Sequence, residues 1–180
     1  MAHPEQQKFC EQIKNEFPNF FENIKVLDVG SLDINGSNRE LFINCEYVGV
    51  DIAEGKNVDI VSIAHELNHP DKCYDTIIST EAFEHDMYYE KTIQNIIRML
   101  KPGGLFIFTC ASIGRGEHGT LKNGPDAAPL LKNFGEWANY YKNLVESDFR
   151  KIDGFNDEFP NGVFVFNNYP YDIYFYGIKK

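Results

Sequence analysis

The sequence lacks an apolar stretch long enough to cross a membrane. A transmembrane helix needs about 20 consecutive apolar residues, and the apolar runs here are much shorter. Residues 1–16 are polar and charged, without the apolar segment that follows the basic start of a secretion signal. We therefore expect a cytoplasmic protein with no membrane partner.

Paired cysteines and basic clusters are also missing. The four cysteines stand at positions 10, 45, 73 and 110, too scattered for a C-x-x-C pair, so we expect free thiols rather than disulfides or a zinc site. Asp and Glu number 27 against 17 Lys and Arg, which gives a net charge of −10. Such a surface repels phosphate backbones, which makes nucleic acid an unfavourable partner.

What the chain does have is the composition of one globular domain. Its 180 residues are 43% hydrophobic, enough to bury a core, and no linker or repeat interrupts residues 1–180. Phe9, Ile13 and Phe17 recur at helical spacing and predict a helix within an N-terminal segment at 1–20.

Short β-branched runs alternate with helical patterns along the rest of the chain. The predicted strands are 24–29, 47–51, 58–63, 75–80, 105–110, 163–166 and 172–178, with helices near 37–43 and at 88–101. Alternation of this kind builds parallel βαβ units. We therefore predict an α/β fold, with a doubly wound, mainly parallel seven-stranded Rossmann-like sheet that ends in a C-terminal antiparallel hairpin.

The last third of the chain changes in character. Residues 111–132 are rich in Gly and Pro, and loops of this length are usually functional or disordered. We predict either a lid loop or a simple solvated connection. In the segment 133–180, Trp137, Tyr140, Tyr141 and Leu144 recur at helical spacing. They predict a helix over 134–149, with its aromatic stripe in the core, ahead of the terminal hairpin.

A ligand site is predicted within the core segment 24–110. The strand that ends at Val29 runs directly into a turn at Gly30, where a ligand can approach the backbone. Asp51 ends the next strand, 21 residues after Gly30, and its two oxygens can accept from the hydroxyls of a ribose. Asp28 and Asp33 beside the turn favour a cationic ligand over a pyrophosphate.

Four segments in this order resemble the class I S-adenosylmethionine-dependent methyltransferases. They read VLDVGS…NG, YVGVD, YDTIISTEAFEH and MLKPGGLFIFT, over roughly residues 24–110. The resemblance implies S-adenosylmethionine as cofactor and methyl transfer, by in-line displacement at the sulfonium methyl, to a small or medium-sized acceptor. The candidate cofactor-binding residues are Asp28, Gly30, Ser31, Asp33, Asn35, Gly36, Asp51, Ile52, Ile63, Ala64, Thr80 and Glu81.

By this resemblance the candidates divide among the parts of the cofactor. Asp28, Gly30 and Ser31 would line the methionine half and Asp51 the ribose. Adenine would lie between Ile52 and Ala64, with Ile63 at a position where many relatives have an acid. Thr80 and Glu81 would face the cofactor beyond the fourth strand. Ser31, Asp33 and Asn35 replace the usual glycines between Gly30 and Gly36.

A second group of polar residues follows the fourth strand. Glu81, Glu84 and His85 form E-x-x-E-H, which is similar to a metal-binding pattern of small-RNA 3′-terminal 2′-O-methyltransferases. The pattern is also common in metal-free relatives, so we expect no metal here. Were one bound, these three residues would hold it, and His118 could be a fourth ligand. His118 and His85 are the candidate general bases, since an imidazole titrates near neutrality.

Two other functions stay open at this point. The chain could be a non-catalytic S-adenosylmethionine-binding protein, or a metal-assisted 2′-O-methyltransferase acting on RNA termini. The sequence does not identify the acceptor, the methylated atom or the oligomeric state.

Overall fold

A computed structural model of the chain describes residues 4–180, so the first three residues of the segment 1–20 lie outside the described residues. The strands are β1 (Lys25–Val29), β2 (Glu46–Asp51), β3 (Ile60–Val61), β4 (Tyr74–Thr80), β5 (Leu100–Ala111), β6 (Val163–Asn167) and β7 (Asp172–Ile178). The α-helices are α1 (Pro4–Glu16), α2 (Tyr89–Met99), α3 (Glu146–Arg150) and α4 (Phe155–Glu158). Within 4–180, no helix combines the length and apolar character that a membrane crossing requires.

The seven strands form one sheet with the order β3-β2-β1-β4-β5-β7-β6. Strands β1 to β5 pair in parallel, whereas β7 lies antiparallel to both β5 and β6. The predicted fold class, including the C-terminal antiparallel hairpin, is therefore confirmed.

Alternate residues of the central strands are buried on opposite faces of the sheet. In β5, Phe106 and Phe108 belong to one core, while Leu105 and Ile107 belong to the other. Both faces are apolar because helices cover both, which is why these strands are continuous hydrophobic runs rather than alternating ones.

Each face of the sheet is covered by its own helices. The predicted stripe of α1 packs Phe9 and Ile13 against one face, together with Phe21. On the other face α2 packs Ile93 and Ile96, the residues whose i, i+3 spacing predicted this helix. The short helices α3 and α4 lie on the same side as α2. The four cysteines are free, as predicted.

The predicted helix over 134–149 is wrong. The structure has a 3₁₀ turn at Gly135–Asn139, an extended segment, and then α3 at Glu146–Arg150. Within the extended part, the amides of Lys142 and Leu144 donate to the carbonyls of Glu84 and Ala111, both at 2.9 Å. Hydrogen bonds to distant loops thus replace those of a helix, and they override the aromatic periodicity.

Three elements also differ in extent from the prediction. The segment 37–43 holds one 3₁₀ turn, Asn38–Leu41, whose first turn is capped by the Ser37 hydroxyl, and β3 has only two residues. Helix α2 ends at Met99, and β5 begins at Leu100, ahead of the Pro-Gly-Gly triplet, with a register shift against β4.

Phe108 should be a major contributor to stability. Its ring lies 4.5 Å from Phe149 and 5.1 Å from Phe175, between ring centroids. We expect Phe108→Ala to lower the free energy of unfolding by about 3–5 kcal/mol, because it leaves a cavity in a packed aromatic cluster. Urea unfolding measures the change. Phe166→Ala, at a side chain that is 48% exposed, is the control, and an equal loss in both variants would contradict the prediction.

Candidate functional site

The strand order creates a crevice at the carboxyl ends of the parallel strands. The chain leaves β1 toward β2 on one side and leaves β4 toward β5 on the other, and such a switch point is where α/β sheets bind ligands. A cleft lies there, with about 990 Å³ of empty space when the open solvent at its mouth is included. It is lined by Asp28, Gly30, Ser31, Gly36, Asp51, Ile52, Ile63, Ala64, Thr80, Glu81 and His85, among others.

Gly30 is required by both space and backbone conformation. Its φ is +76°, and a Cβ atom at this position would lie 2.4 Å from the Cβ of Ala82. The amides of Gly30 and Ser31 both donate to the carbonyl of Val50, at 2.9 and 3.1 Å. The turn after β1 is therefore held against β2, and any side chain at Gly30 would push it away from β4.

Asp28 is a buried carboxylate at the floor of the cleft. It is 2% exposed, and its Oδ2 accepts a hydrogen bond of 2.5 Å from the Tyr47 hydroxyl. Oδ1 is buried and has no hydrogen-bond partner among the described residues. Burial is the main reason why the pKa of Asp28 is raised to about 7, and the Tyr47 hydrogen bond opposes it. A cationic group bound in the cleft would favour the ionised form of Asp28.

Asp51 joins the loop after β1 to the end of β2. Its Oδ2 accepts from the amide of Leu32 at 3.0 Å, and its Oδ1 accepts from the amide of Ile52 at 2.7 Å. Burial raises its pKa, and these two backbone hydrogen bonds oppose the rise. Since each carboxylate oxygen has two lone pairs, Asp51 retains acceptor capacity for the hydroxyls of a ligand.

A polar network behind the turn was missed by sequence reasoning. The Asn57 side-chain amide donates to the carbonyl of Ser31 at 2.9 Å, and the Ser31 hydroxyl donates to the carbonyl of Asn57 at 3.1 Å. Arg39 donates to the side-chain oxygen of Asn57 at 2.5 Å. No sequence signal links these positions, because only the pairing of β1 with β2 brings them together.

Asp33 and Asn35 are the two candidate cofactor residues that do not line the cleft. Asp33 accepts from the amide of Gly36 at 2.8 Å and forms an ion pair with Lys56 at 2.7 Å. These contacts lower the pKa of Asp33, the Lys56 hydrogen bond most. Asp33 therefore shapes the turn, and contact of either residue with a cofactor stays a prediction.

Beyond β4 the wall of the cleft is formed by Thr80 and Glu81. The Thr80 hydroxyl accepts a hydrogen bond of 3.0 Å from Asn38, a cleft residue that the sequence did not indicate. Glu81 has φ +53° and is 5% exposed. Its pKa is raised well above the usual value, first by burial and then by the charges of Glu84 and Asp172.

The two candidate general bases lie side by side. The rings of His85 and His118 are 5.2 Å apart, and Tyr141 packs on both. His85 lines the cleft, whereas His118 is not among the lining residues. Burial, followed by the charge of His118, lowers the pKa of His85 to about 3. His85 is therefore neutral at pH 7 and a weak base, and a catalytic role for either histidine stays a prediction.

Part of the long segment after β5 also reaches the cleft. Residues 127–131 and Trp137 line it, the latter in contact with Tyr88 at 5.8 Å between ring centroids. The aromatic stripe was expected to lie in the core, so the position of Trp137 at the cleft is a difference from the prediction.

The comparisons with known proteins agree with this geometry. A model of the methyltransferase-domain family matches residues 1–144. The chain therefore belongs to the methyltransferase-domain family. No curated protein sequence matches it.

Solved methyltransferases have the same class I, Rossmann-like fold. Haemonchus contortus phosphoethanolamine N-methyltransferase 2, bound to phosphomonomethylethanolamine and S-adenosylhomocysteine, matches with a TM-score of 0.66 and 16% identity over 99% of this chain. This chain spans 54% of the length of that enzyme. The same share holds for a second structure of the Haemonchus enzyme, solved in complex with S-adenosylmethionine.

Two full-length matches are similar in strength. The Burkholderia thailandensis 1,6-didemethyltoxoflavin-N1-methyltransferase has a TM-score of 0.60 and 13% identity, covering 100% of this chain and 92% of its own. A S-adenosylmethionine-dependent methyltransferase from Archaeoglobus fulgidus has a TM-score of 0.63 and 15% identity, covering 96% and 94%. At these identities the likeness shows the fold alone.

Asp28 should make stability depend on pH. The pKa of Asp28 is about 7 in the folded, ligand-free protein, against an ordinary value of 3.8. Between pH 3.8 and pH 7 the folded state therefore retains a proton that the unfolded chain has released. Stability should therefore fall as the pH rises through that window. Asp28→Asn removes this dependence, so its stability relative to the parent should increase by on the order of 2–4 kcal/mol from pH 4 to pH 7.5.

Urea unfolding of the ligand-free protein at several pH values measures this difference. The exposed Asp153 provides the matched control, since Asp153→Asn should follow the parent at every pH. Parallel curves for Asp28→Asn and the parent would contradict the raised pKa.

Proposed function

We propose that this chain binds S-adenosylmethionine in the cleft and transfers its methyl group to a small or medium-sized acceptor. The observation that carries the proposal is the pair of acidic residues, Asp28 and Asp51, at the ends of neighbouring strands of a methyltransferase-family sheet. Both residues line one cleft beside the Gly30 turn, where backbone and carboxylate acceptors converge.

The lining residues divide along the length of such a cofactor. Asp51 accepts from the ribose hydroxyls, and the apolar side chains of Ile52, Ile63 and Ala64 pack on the adenine. Asp28 with the Gly30 turn faces the methionine half, whose amino and sulfonium groups are both positive. In this proposal two acidic groups face the cationic and hydroxyl groups of the cofactor, and no basic residue is required.

The protein's part in the reaction is alignment and exclusion of water. The bound cofactor supplies a methyl group that its sulfonium activates. Glu81, His85 and Trp137 form the wall of the cleft beyond β4 and orient the acceptor in line with the breaking bond. An acceptor that attacks without losing a proton first, such as a neutral amine, needs no general base from this wall.

A small acceptor is supported by charge and by the similar structures. The net charge of −10 disfavours a polyanion. The Haemonchus enzyme was solved with phosphomonomethylethanolamine and the Burkholderia enzyme is named for 1,6-didemethyltoxoflavin, both small molecules. The same charge counts against RNA termini as acceptors, and the two intact carboxylates support catalysis over a merely ligand-binding role.

Asp51→Ala should weaken the binding of S-adenosylhomocysteine by about 1.5–3 kcal/mol, since the ribose hydroxyls lose a charged acceptor. Asp51→Asn should lose less, because one side-chain oxygen remains. Calorimetric titration of the full chain measures both. Asp153→Ala is the control, because Asp153 is exposed and does not line the cleft. Unchanged affinity in both Asp51 variants would contradict the ribose assignment.

Catalysis is tested separately from binding. S-adenosylhomocysteine release is followed while small amines, hydroxylated metabolites and RNA oligonucleotides are offered in turn. Turnover with a small acceptor at a rate well above that with RNA supports the proposal. Tight cofactor binding without turnover on any acceptor would instead identify a binding protein, and a faster rate with RNA would favour the RNA-terminus alternative.

The segment 111–132 should act as a lid over the acceptor. Residues 127–131 already line the cleft, and their contacts should tighten when a ligand fills it. We expect their amide hydrogen exchange to slow by roughly tenfold when S-adenosylhomocysteine binds. The amides of Glu158 and Phe159, which donate to the carbonyls of Gly154 and Phe155, are the internal control, because neither residue lines the cleft. Unchanged exchange at 127–131 would show that the segment is only a connection.

A further inference from the structure

Glu84 is a buried carboxylate that the cofactor site does not use. Its side chain is fully buried, and neither oxygen forms a hydrogen bond with a described residue other than Glu84 itself. A carboxylate removed from water without a partner is strongly unfavourable, and buried polar groups of native proteins are nearly always satisfied. A cation bound at Oε1 would supply the partner that this carboxylate lacks among the described residues.

Two imidazole rings face the same oxygen of Glu84. Nε2 of His118 lies 3.8 Å from Oε1, and Nε2 of His85 lies 4.0 Å from it. One potential ligand atom from each of the three residues lies within 4.8 Å of the others. Both distances exceed the limit of about 3.2 Å for a hydrogen bond, so neither imidazole satisfies Glu84 by hydrogen bonding.

The orientation of His118 is set by its other ring nitrogen. Nδ1 lies 3.0 Å from the carbonyl of Gly116, and an imidazole whose Nδ1–H donates to a carbonyl directs the lone pair of Nε2 outward. This backbone hydrogen bond is the arrangement that orients metal-ligating histidines.

The chain brings His118 to this position through a glycine. Glu84 and His85 lie on the 3₁₀ turn Phe83–His85 after β4, whereas His118 belongs to the segment after β5. Gly119 has φ +69°, and a Cβ there would lie 2.5 Å from Cε1 of His85. Only glycine permits this approach of the segment to His85, and the approach is what places His118 opposite Glu84.

We propose that Glu84, His85 and His118 form a binding site for one divalent transition-metal ion. Two imidazole nitrogens and one carboxylate suit Zn²⁺, Co²⁺ or Mn²⁺, whereas Mg²⁺ and Ca²⁺ prefer oxygen ligands throughout. The E-x-x-E-H pattern alone did not favour a metal. The new observation is the placement of His118 against an unsatisfied Glu84, with Glu81 outside this group.

Three protein ligands leave a coordination position open. Because His85 also lines the cleft, an oxygen or nitrogen donor of the acceptor could occupy that position. This consequence rests on the proposed methyl transfer, whereas the metal site itself does not.

The test is a titration of the full chain with Co²⁺ in the absence of any cofactor, monitored by visible absorption. Displacement of the bound Co²⁺ by Zn²⁺ is then measured by calorimetry. We expect one equivalent to bind, with the d–d bands of nitrogen- and oxygen-coordinated Co²⁺. Glu84→Gln preserves volume and removes the charge, and it should weaken binding at least tenfold, as should His118→Asn.

His69→Gln is the matched control, since His69 bonds to the Tyr74 hydroxyl and is not part of the group. Far-UV circular dichroism and S-adenosylhomocysteine affinity report whether each variant is folded. Because metal binding is measured without cofactor, its outcome can be interpreted even if the proposed methyl transfer is wrong. Absence of saturable binding to the parent, or equal binding by the parent and a folded Glu84→Gln variant, would overturn the metal site.

Discussion

The burial of β1 between two parallel neighbours is the constraint on which the rest of the structure depends. Leu27 packs into one core and Val26 into the other. Both faces of β1 are apolar, so the strand is stable only where helices cover the sheet on both sides. Since β2 lies on one side of β1 and β4 on the other, the loops at their carboxyl ends diverge. The cleft is the space that this divergence leaves, and its position follows from strand order rather than from any single side chain.

The part of the cleft formed by the loops after β1 and β2, to which we assign the cofactor, is held in shape mainly by backbone groups. Amides of the turn after β1 donate to Val50 and to Asp51, and Asn57 closes the turn from behind. The close approach of Gly30 to Ala82 joins this turn to the loop after β4. A carboxylate such as Asp51 therefore has two tasks at once, since the same oxygens that would meet a ligand already fix the loops that enclose it.

The sequence predicted those features that local signals encode. Buried apolar runs and the spacing from Gly30 to Asp51 located the central strands and most of the cleft lining. The segment 134–149 was mispredicted because Trp137 and Tyr141 have helical spacing. In the structure they contact different residues: Trp137 packs on Tyr88, and Tyr141 packs on His85 and His118. Tyr47, Asn38 and Asn57 were missed for a related reason: they reach the site across strand pairs, and no single-sequence pattern records which strands will be neighbours.

The two sides of the cleft differ in how firmly the fold determines them. Residues on the cofactor side follow strand ends, so their positions are fixed by the sheet itself. The rest of the lining, Trp137 and residues 127–131, comes from one long segment. That segment is fastened by isolated bonds such as the one from the Leu121 amide to the Ala138 carbonyl, at 2.9 Å. Substitutions in that segment can reshape the acceptor side without disturbing the sheet, because few sheet contacts depend on it. The acceptor is therefore the part of the function that the fold determines least.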